Sequence, residues 1–208
     1  MLISHSHRFV FVHIPKTAGT SLTRALAPFS NPNPDKRFDK IKSKLGFVSD
    51  PASFYLPKHA DYRYAEKRLG KEAYDQFYKF AFVRNPWDLL VSYYAYIQKK
   101  EDHHRRKKVS AMSDFSAYLD YEISRNKAFQ YKMICNEKKE IQVDFVGRFE
   151  SLASDFDKIA DHLGIEASLP HINTSKHRPY QETYTPELRD RVAEHWKDDI
   201  EIFGYQFD

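Results

Sequence analysis

One stretch near the amino terminus constrains this chain more than any other. RFVFVHI, residues 8 to 14, is a short run of aromatic and β-branched residues. Such a run is long enough for a buried strand and too short for a buried helix. It breaks into PKTAGTS, a small-residue loop with a single glycine, and then into SLTRALAPF, which has helical character. Strand, small-residue loop and helix form the opening unit of an α/β nucleotide-binding fold. The same order recurs twice. KFAFV, residues 79 to 83, runs into RNPW and a helix whose first turn accepts Pro86. In that helix Trp87, Leu90, Val91, Tyr94 and Ile97 fall at helical spacing and should face a core. VDFVGRF, residues 143 to 149, is a third strand, followed by a helix that ends at Leu163 before Gly164. The expected architecture is α/β, a three-layer fold with a central parallel sheet flanked by helices on both faces. A ligand then belongs at the carboxyl ends of the strands.

The segments between these units are less regular. Pro28, Pro32, Pro34, Pro51 and Pro57 punctuate residues 28 to 58, an irregular excursion with one short helix near Ile41 to Leu45. A helix is predicted from Asp61 to Leu69, closed by Gly70, and another short one through Phe77. Residues 99 to 108, KKEDHHRRKK, read as a charged, exposed loop, and residues 165 to 184 as another loop. Thr185-Pro186 opens the last helix with an N-cap and an N1 proline.

At 208 residues the chain fits one domain spanning residues 1 to 208. With 41% hydrophobic and 30% charged residues, disorder is excluded and a packed core is expected. No run approaches the roughly 18 apolar residues of a membrane helix. MLISHSHRFVFVHIPK lacks the long apolar region and cleavage site of a signal peptide and reads as a strand. Cys135, the single cysteine, excludes an intrachain disulfide and a cysteine-rich zinc site. His103-His104, and His5 with His7, lie in polar segments that complete no ligand set, so no metal site is expected. The net charge of +4 suits an anionic ligand but is too small to argue for nucleic acid.

Two constellations carry chemistry. In HIPKTAGTSL, residues 13 to 22, a turn after a buried strand presents backbone N–H groups, and the helix that follows adds unpaired N–H groups and partial positive charge. Lys16 contributes a cation, Thr17, Thr20 and Ser21 contribute hydroxyls, and Gly19 permits close backbone approach, which together suit phosphate or sulfate. The string is not a standard P-loop, because the lysine precedes the glycine and the first glycine is missing. Its plain alternative is a solvated turn with an N-cap threonine. In FAFVRNPWDLLVSYYAY, residues 80 to 96, Arg84 stands where a strand becomes a helix and Ser92 lies eight positions on. An arginine there can grip a phosphate with two N–H groups. The alternatives are an ion pair of Arg84 with Asp88 or another acid, and a hydrogen bond of Ser92 to its own helix backbone.

Together these motifs resemble the 5′-phosphosulfate loop and the 3′-phosphate-binding motif of sulfotransferases, closest to the family of carbohydrate sulfotransferases and their bacterial relatives. The resemblance extends, in order, through KHADYRYAEKRLG, VGRFESLASDF, LPHINTSKHRPY and DDIEIFGYQF, and so spans most of the chain. It implies a fold like that of P-loop kinases and 3′-phosphoadenosine 5′-phosphosulfate (PAPS) as donor, with no metal required. Lys16, Thr17, Ala18, Gly19, Thr20 and Ser21 would hold the 5′ end, with Lys16 also catalytic, while Arg84 and Ser92 would hold the 3′-phosphate. His59 would be the base that takes a proton from an acceptor hydroxyl. His13 is its rival, placed to support the loop instead. The resemblance leaves Arg148 open between the nucleotide and a pairing with Glu150, and Asn173, Lys176, His177 and Arg178 open between a closing loop and a solvated surface. It suggests a glycan or glycolipid acceptor, shaped by the loops near residues 30 to 58, 99 to 112 and 165 to 184. Localisation is expected to be cytoplasmic and bacterial-type, with a trimmed Golgi luminal domain as the alternative. Two other readings stand beside this one: an ATP-dependent kinase or NTPase of related fold, and a non-catalytic polyanion-binding module.

Overall fold

Four strands form one sheet in the order β1-β2-β3-β4. They are β1 (Leu2–Ser4), β2 (Phe9–Val12), β3 (Tyr78–Val83) and β4 (Phe145–Arg148). The computed structural model describes residues 1–31, 56–170 and 179–208. The expected helix near Ile41 to Leu45, the prolines at 32, 34 and 51, and the loop residues Asn173, Lys176, His177 and Arg178 lie outside the described residues.

β2–β3 and β3–β4 are parallel, with Val12 opposite Ala81 and Val83 opposite Arg148, so their carboxyl ends leave the sheet along one edge. β1 departs from the expected parallel order and pairs antiparallel with β2, with Leu2 opposite Phe11. The polar residues His5, Ser6, His7 and Arg8 break the apolar run into a hairpin, and Arg8 takes the left-handed conformation (φ 49°). All four residues of β2 are buried, as an interior strand with a neighbour on each side requires.

The chain divides into two compact units, one of Met1–Val83 and Lys132–Ile172, the other of Arg84–Tyr131 and Asn173–Asp208. In the first, α1 (Gly19–Leu26) and the later helix Leu152–Leu163 bury Leu22, Ala25 and Leu26, and Phe156, Ile159 and Ala160, against Phe9, Phe11, Phe80 and Phe82 of the sheet. Each large side chain fully withdrawn from water here contributes about 1.5–3 kcal/mol. The rings of Phe11 and Phe80 stack with centroids 5.4 Å apart. Gly147 in β4 admits the Phe82 ring, which would lie 2.5 Å from a Cβ at that position. The short helices α2 (Tyr62–Leu69) and α3 (Lys71–Gln76) precede β3. Asp61 caps α2 by accepting from the Tyr64 N–H, and Gly70 closes it at φ 80°.

The second unit begins with α4 (Pro86–Lys99) and continues with α5 (Arg106–Ser110) and α6 (Phe115–Arg125). Trp87, Leu90, Val91 and Ile97 are buried as their spacing predicts, and the half-buried Tyr94 packs on Tyr118 at 4.8 Å. The stretch 99 to 108 is not wholly a loop, because α5 begins within it, and Arg105 turns inward to pair with the buried Glu122 of α6. Glu122 also accepts from Arg125 at 2.5 Å. The short helix α7 (Tyr131–Ile134) follows, and from Lys132 the chain belongs to the first unit again. In chain order the helix Leu152–Leu163 is α8, and the last two helices are α9 (Pro186–His195) and α10 (Lys197–Phe203). Thr185 caps α9 by accepting from the Leu188 N–H, as expected. Among the described residues no helix is long and apolar enough to cross a membrane. The architecture is α/β, a mostly parallel four-stranded sheet flanked by helices.

Candidate functional site

The turn after β2 is built from unusual backbone. Lys16 (φ 68°) and Ala18 (φ 60°) both adopt the left-handed conformation, which costs a non-glycine residue about 1–2 kcal/mol. The Thr17 hydroxyl between them is buried and donates to the Ile14 carbonyl at 2.9 Å, which holds the turn closed. Backbone bent this way turns successive N–H groups to one side and makes a concave anion cradle. α1 begins at once. Ala18 is its N-cap and supplies no side-chain hydrogen bond, while its carbonyl accepts from the Ser21 and Leu22 N–H groups at 2.9 and 3.2 Å. A helix start without a side-chain cap keeps N–H donors and partial positive charge available to an anion. Lys16 is half-buried, Thr20 exposed and Ser21 buried.

Gly19 does more than permit close backbone approach. A Cβ at this position would lie 1.7 Å from Nε2 of His13, so the missing side chain seats the imidazole against the first turn of α1. The glycine is needed for a ring, and the strained dihedrals fall on its neighbours. His13 is 3% exposed, and its Nδ1 has no hydrogen-bond partner among the described residues. Burial, with positive charge nearby, pushes its pKa from 6.5 down to about 2, so the ring is neutral at any physiological pH.

His59 meets His13 edge to face, with ring centroids 4.7 Å apart. Its Nδ1 lies 3.0 Å from the His13 carbonyl oxygen. A carbonyl only accepts, so Nδ1 carries the hydrogen and Nε2 is left with a lone pair. Partial burial lowers the His59 pKa, the bond to the His13 carbonyl opposes this, and the Lys58 charge adds to the lowering. The residue itself is exposed.

The corner after β3 is assembled separately. Asn85 caps α4, its Oδ1 accepting from the Trp87 N–H at 3.1 Å, while its Nδ2 donates to the Gln206 carbonyl at 2.9 Å and to the Tyr180 hydroxyl at 3.3 Å. Pro86 occupies the first turn, where no N–H is required. The Trp87 indole donates to the Arg189 carbonyl, and the Tyr184 hydroxyl donates to the Trp87 carbonyl. Arg84 is thereby aimed along α4. Its Nη1 donates to the Ser92 hydroxyl at 2.9 Å and its Nε to Asp88 at 2.7 Å. The ion pair with Asp88 weighed from the sequence is therefore present, and it sits on the same guanidinium that reaches Ser92. Ser92 spends its hydroxyl on Arg84, an interaction eight residues apart that local helix patterns do not supply.

Two further residues complete this corner. The Gln130 side-chain amide pairs with both the N–H and the carbonyl of Arg84, each at 2.8 Å. Asp199 accepts from the Gln130 and Tyr131 N–H groups at 2.9 and 2.8 Å. Burial drives the Asp199 carboxyl up to about 7, against these two hydrogen bonds. Asp199 had one available signal: it shares helical spacing with Trp196 and Phe203, placing a carboxylate on a buried face. Gln130, in an irregular stretch, had none.

Arg148 is exposed at the end of β4, and its N–H donates to Asp155 at 2.9 Å. The hydroxyl of Ser151 and the ammonium of Lys158 also hold Asp155. Among the described residues no cluster of three or more His, Cys, Asp or Glu is placed to hold a metal ion.

The model of the sulfotransferase family matches residues 1–206. An uncharacterized protein of Archaeoglobus fulgidus is 30% identical over 118 residues, 55% of this chain and 91% of its own length. Among solved structures, mouse sulfotransferase SULT7A1 complexed with PAP superposes with a TM-score of 0.56 at 14% identity, covering 95% of this chain and 85% of its own. A sulfotransferase from Alicyclobacillus acidocaldarius gives 0.50 at 18% identity, covering 94% and 93%. At these identities the structural likeness concerns the fold.

Proposed function

Because the chain belongs to the sulfotransferase family, we propose that it transfers a sulfuryl group from PAPS to a hydroxyl of a carbohydrate acceptor on a glycan or glycolipid. The observation that carries this reading is the turn itself: Lys16 and Ala18 in left-handed backbone, running directly into the uncapped start of α1. That geometry suits a sulfate or phosphate oxygen. The donor supplies the activated sulfuryl group.

Lys16, Thr17, Ala18, Gly19, Thr20 and Ser21 hold the 5′ end, and Arg84 and Ser92 the 3′-phosphate. A guanidinium and a hydroxyl side by side offer the donors a phosphate dianion requires. Lys16 and the N–H groups of α1 stabilise the negative charge that develops on the leaving oxygen, where fixed donors act without reorganisation. His59 accepts the acceptor's hydroxyl proton at Nε2, the nitrogen its hydrogen bond to the His13 carbonyl leaves basic. Its lowered pKa keeps the imidazole unprotonated at neutral pH. His13, buried and neutral, supports Gly19 and the turn.

Labelled sulfate transfer from PAPS to a panel of glycans, glycolipids and small alcohols tests the reading. Transfer to a sugar hydroxyl is the expected result. Sulfation of simple alcohols alone would overturn the carbohydrate acceptor. Binding of ATP more tightly than 3′-phosphoadenosine 5′-phosphate (PAP) would overturn the donor.

A further inference from the structure

We infer that Gln130, seated on Asp199, is the positioning residue that sets Arg84 for the donor's 3′-phosphate. The inference rests on the proposed role of Arg84 but concerns residues outside either phosphate motif. The ladder of β3 ends at Val83, opposite Arg148. The next residue, Arg84, is buried, so its backbone N–H needs an acceptor and its carbonyl a donor. One primary amide meets both needs: Gln130 Oε1 accepts from the Arg84 N–H and Nε2 donates to the Arg84 carbonyl, both at 2.8 Å. The side chain thus stands in for a strand neighbour at the one residue where the chain turns from strand to helix. Pairing with the N–H and the carbonyl on either side of one Cα fixes φ and ψ of Arg84 and, with them, the direction in which the guanidinium leaves the backbone.

The amide is in turn fixed at its own backbone. Asp199, fully buried in α10, accepts from the N–H groups of Gln130 and Tyr131 and so holds the segment that carries the side chain. Gln130 is 1% exposed and Arg84 3%. Asp88 and Ser92 constrain the far end of Arg84. The guanidinium is therefore held from the backbone side by Gln130 and from the tip by α4. A group gripped at both ends presents its N–H donors with little freedom to lose on binding, and small displacements of such a group reduce affinity steeply.

Equilibrium binding of PAP and of 5′-AMP, which lacks the 3′-phosphate, tests this in the full-length chain. Wild type should prefer PAP, and Arg84→Ala should abolish the preference. Gln130→Leu and Gln130→Glu should each lower the preference about ten-fold or more while leaving 5′-AMP affinity within about two-fold. The glutamate keeps an acceptor for the Arg84 N–H but sets a carboxylate against the Arg84 carbonyl. If Gln130→Leu does not give a cooperative unfolding transition, Gln130→Glu and Asp199→Asn decide by the same ratio. Wild-type preference in the Gln130 variants, or equal weakening towards both ligands, would overturn the inference while Arg84→Ala still loses its preference. Retained preference in Arg84→Ala would instead overturn the assignment of Arg84 to the 3′-phosphate.

Discussion

The roles proposed for His59 and Gly19 can each be tested by single substitutions. His59→Ala should lower sulfate transfer by about 10²–10⁴-fold with PAP affinity unchanged, measured as kcat and as an equilibrium Kd. Because burial lowers the His59 pKa, the acid limb of kcat/KM should fall below the ordinary imidazole value near 6.5 and vanish in the variant. Full turnover in His59→Ala would remove it from the role. Gly19→Ala places a methyl group where Nε2 of His13 sits, 1.7 Å away, so the ring must leave its site. The expected cost is about 1–3 kcal/mol in urea unfolding. Most of that cost should disappear in a His13→Ala background, because the two positions share one space. Additive losses would show that the ring and the glycine are not coupled.

At the scale of elements, the corner at Asn85 carries more than an ordinary helix cap. Asp61 and Thr185 cap α2 and α9 with one side-chain acceptor each, worth about 1 kcal/mol. Asn85 accepts from Trp87 and also donates to the Gln206 carbonyl and the Tyr180 hydroxyl. Asn85→Ala should therefore destabilise by about 2–3 kcal/mol, measured by chemical denaturation beside Asp61→Ala and Thr185→Ala. Equal costs in all three would contradict the tethering of this corner. The strands and capped helices were legible because their signals are local: Gly70 and Gly164 after a periodic run, Pro86 and Pro186 at N1, Phe and Val in alternation. The antiparallel β1 and the helices α6 and α7 were not. Ser4 closes a hairpin that its neighbours, two histidines and an arginine, conceal in one dimension. α6 is held by pairings such as Arg105 with Glu122, which no local pattern encodes.

For the whole molecule, two buried groups should tilt stability with pH in opposite directions. His13 has an ordinary value of 6.5 and a folded value of about 2. Below 6.5 the unfolded chain gains a proton that the native ring refuses, so its contribution is present above that pH and is lost on acidification. Asp199 rises from 3.8 to about 7. Its contribution is present below 3.8 and is lost as pH climbs through 7. Unfolding free energies measured from pH 4 to 8 should therefore show a shallower acid loss in His13→Gln than in wild type, and a weaker decline towards pH 7 in Asp199→Asn. Parallel curves for wild type and both variants would contradict these assignments. The same long-range character kept Gln130 out of view in the sequence, whereas Lys16 and Arg84 declared themselves through strand-to-helix junctions. The most direct test of the central claim is calorimetric titration of wild type, Lys16→Ala and Arg84→Ala with PAP, 5′-AMP and adenosine 3′-phosphate. Arg84→Ala should lose the preference for PAP over 5′-AMP, and Lys16→Ala the preference for PAP over adenosine 3′-phosphate. Wild-type PAP affinity in either variant would contradict the claim that these two junctions hold opposite ends of one donor.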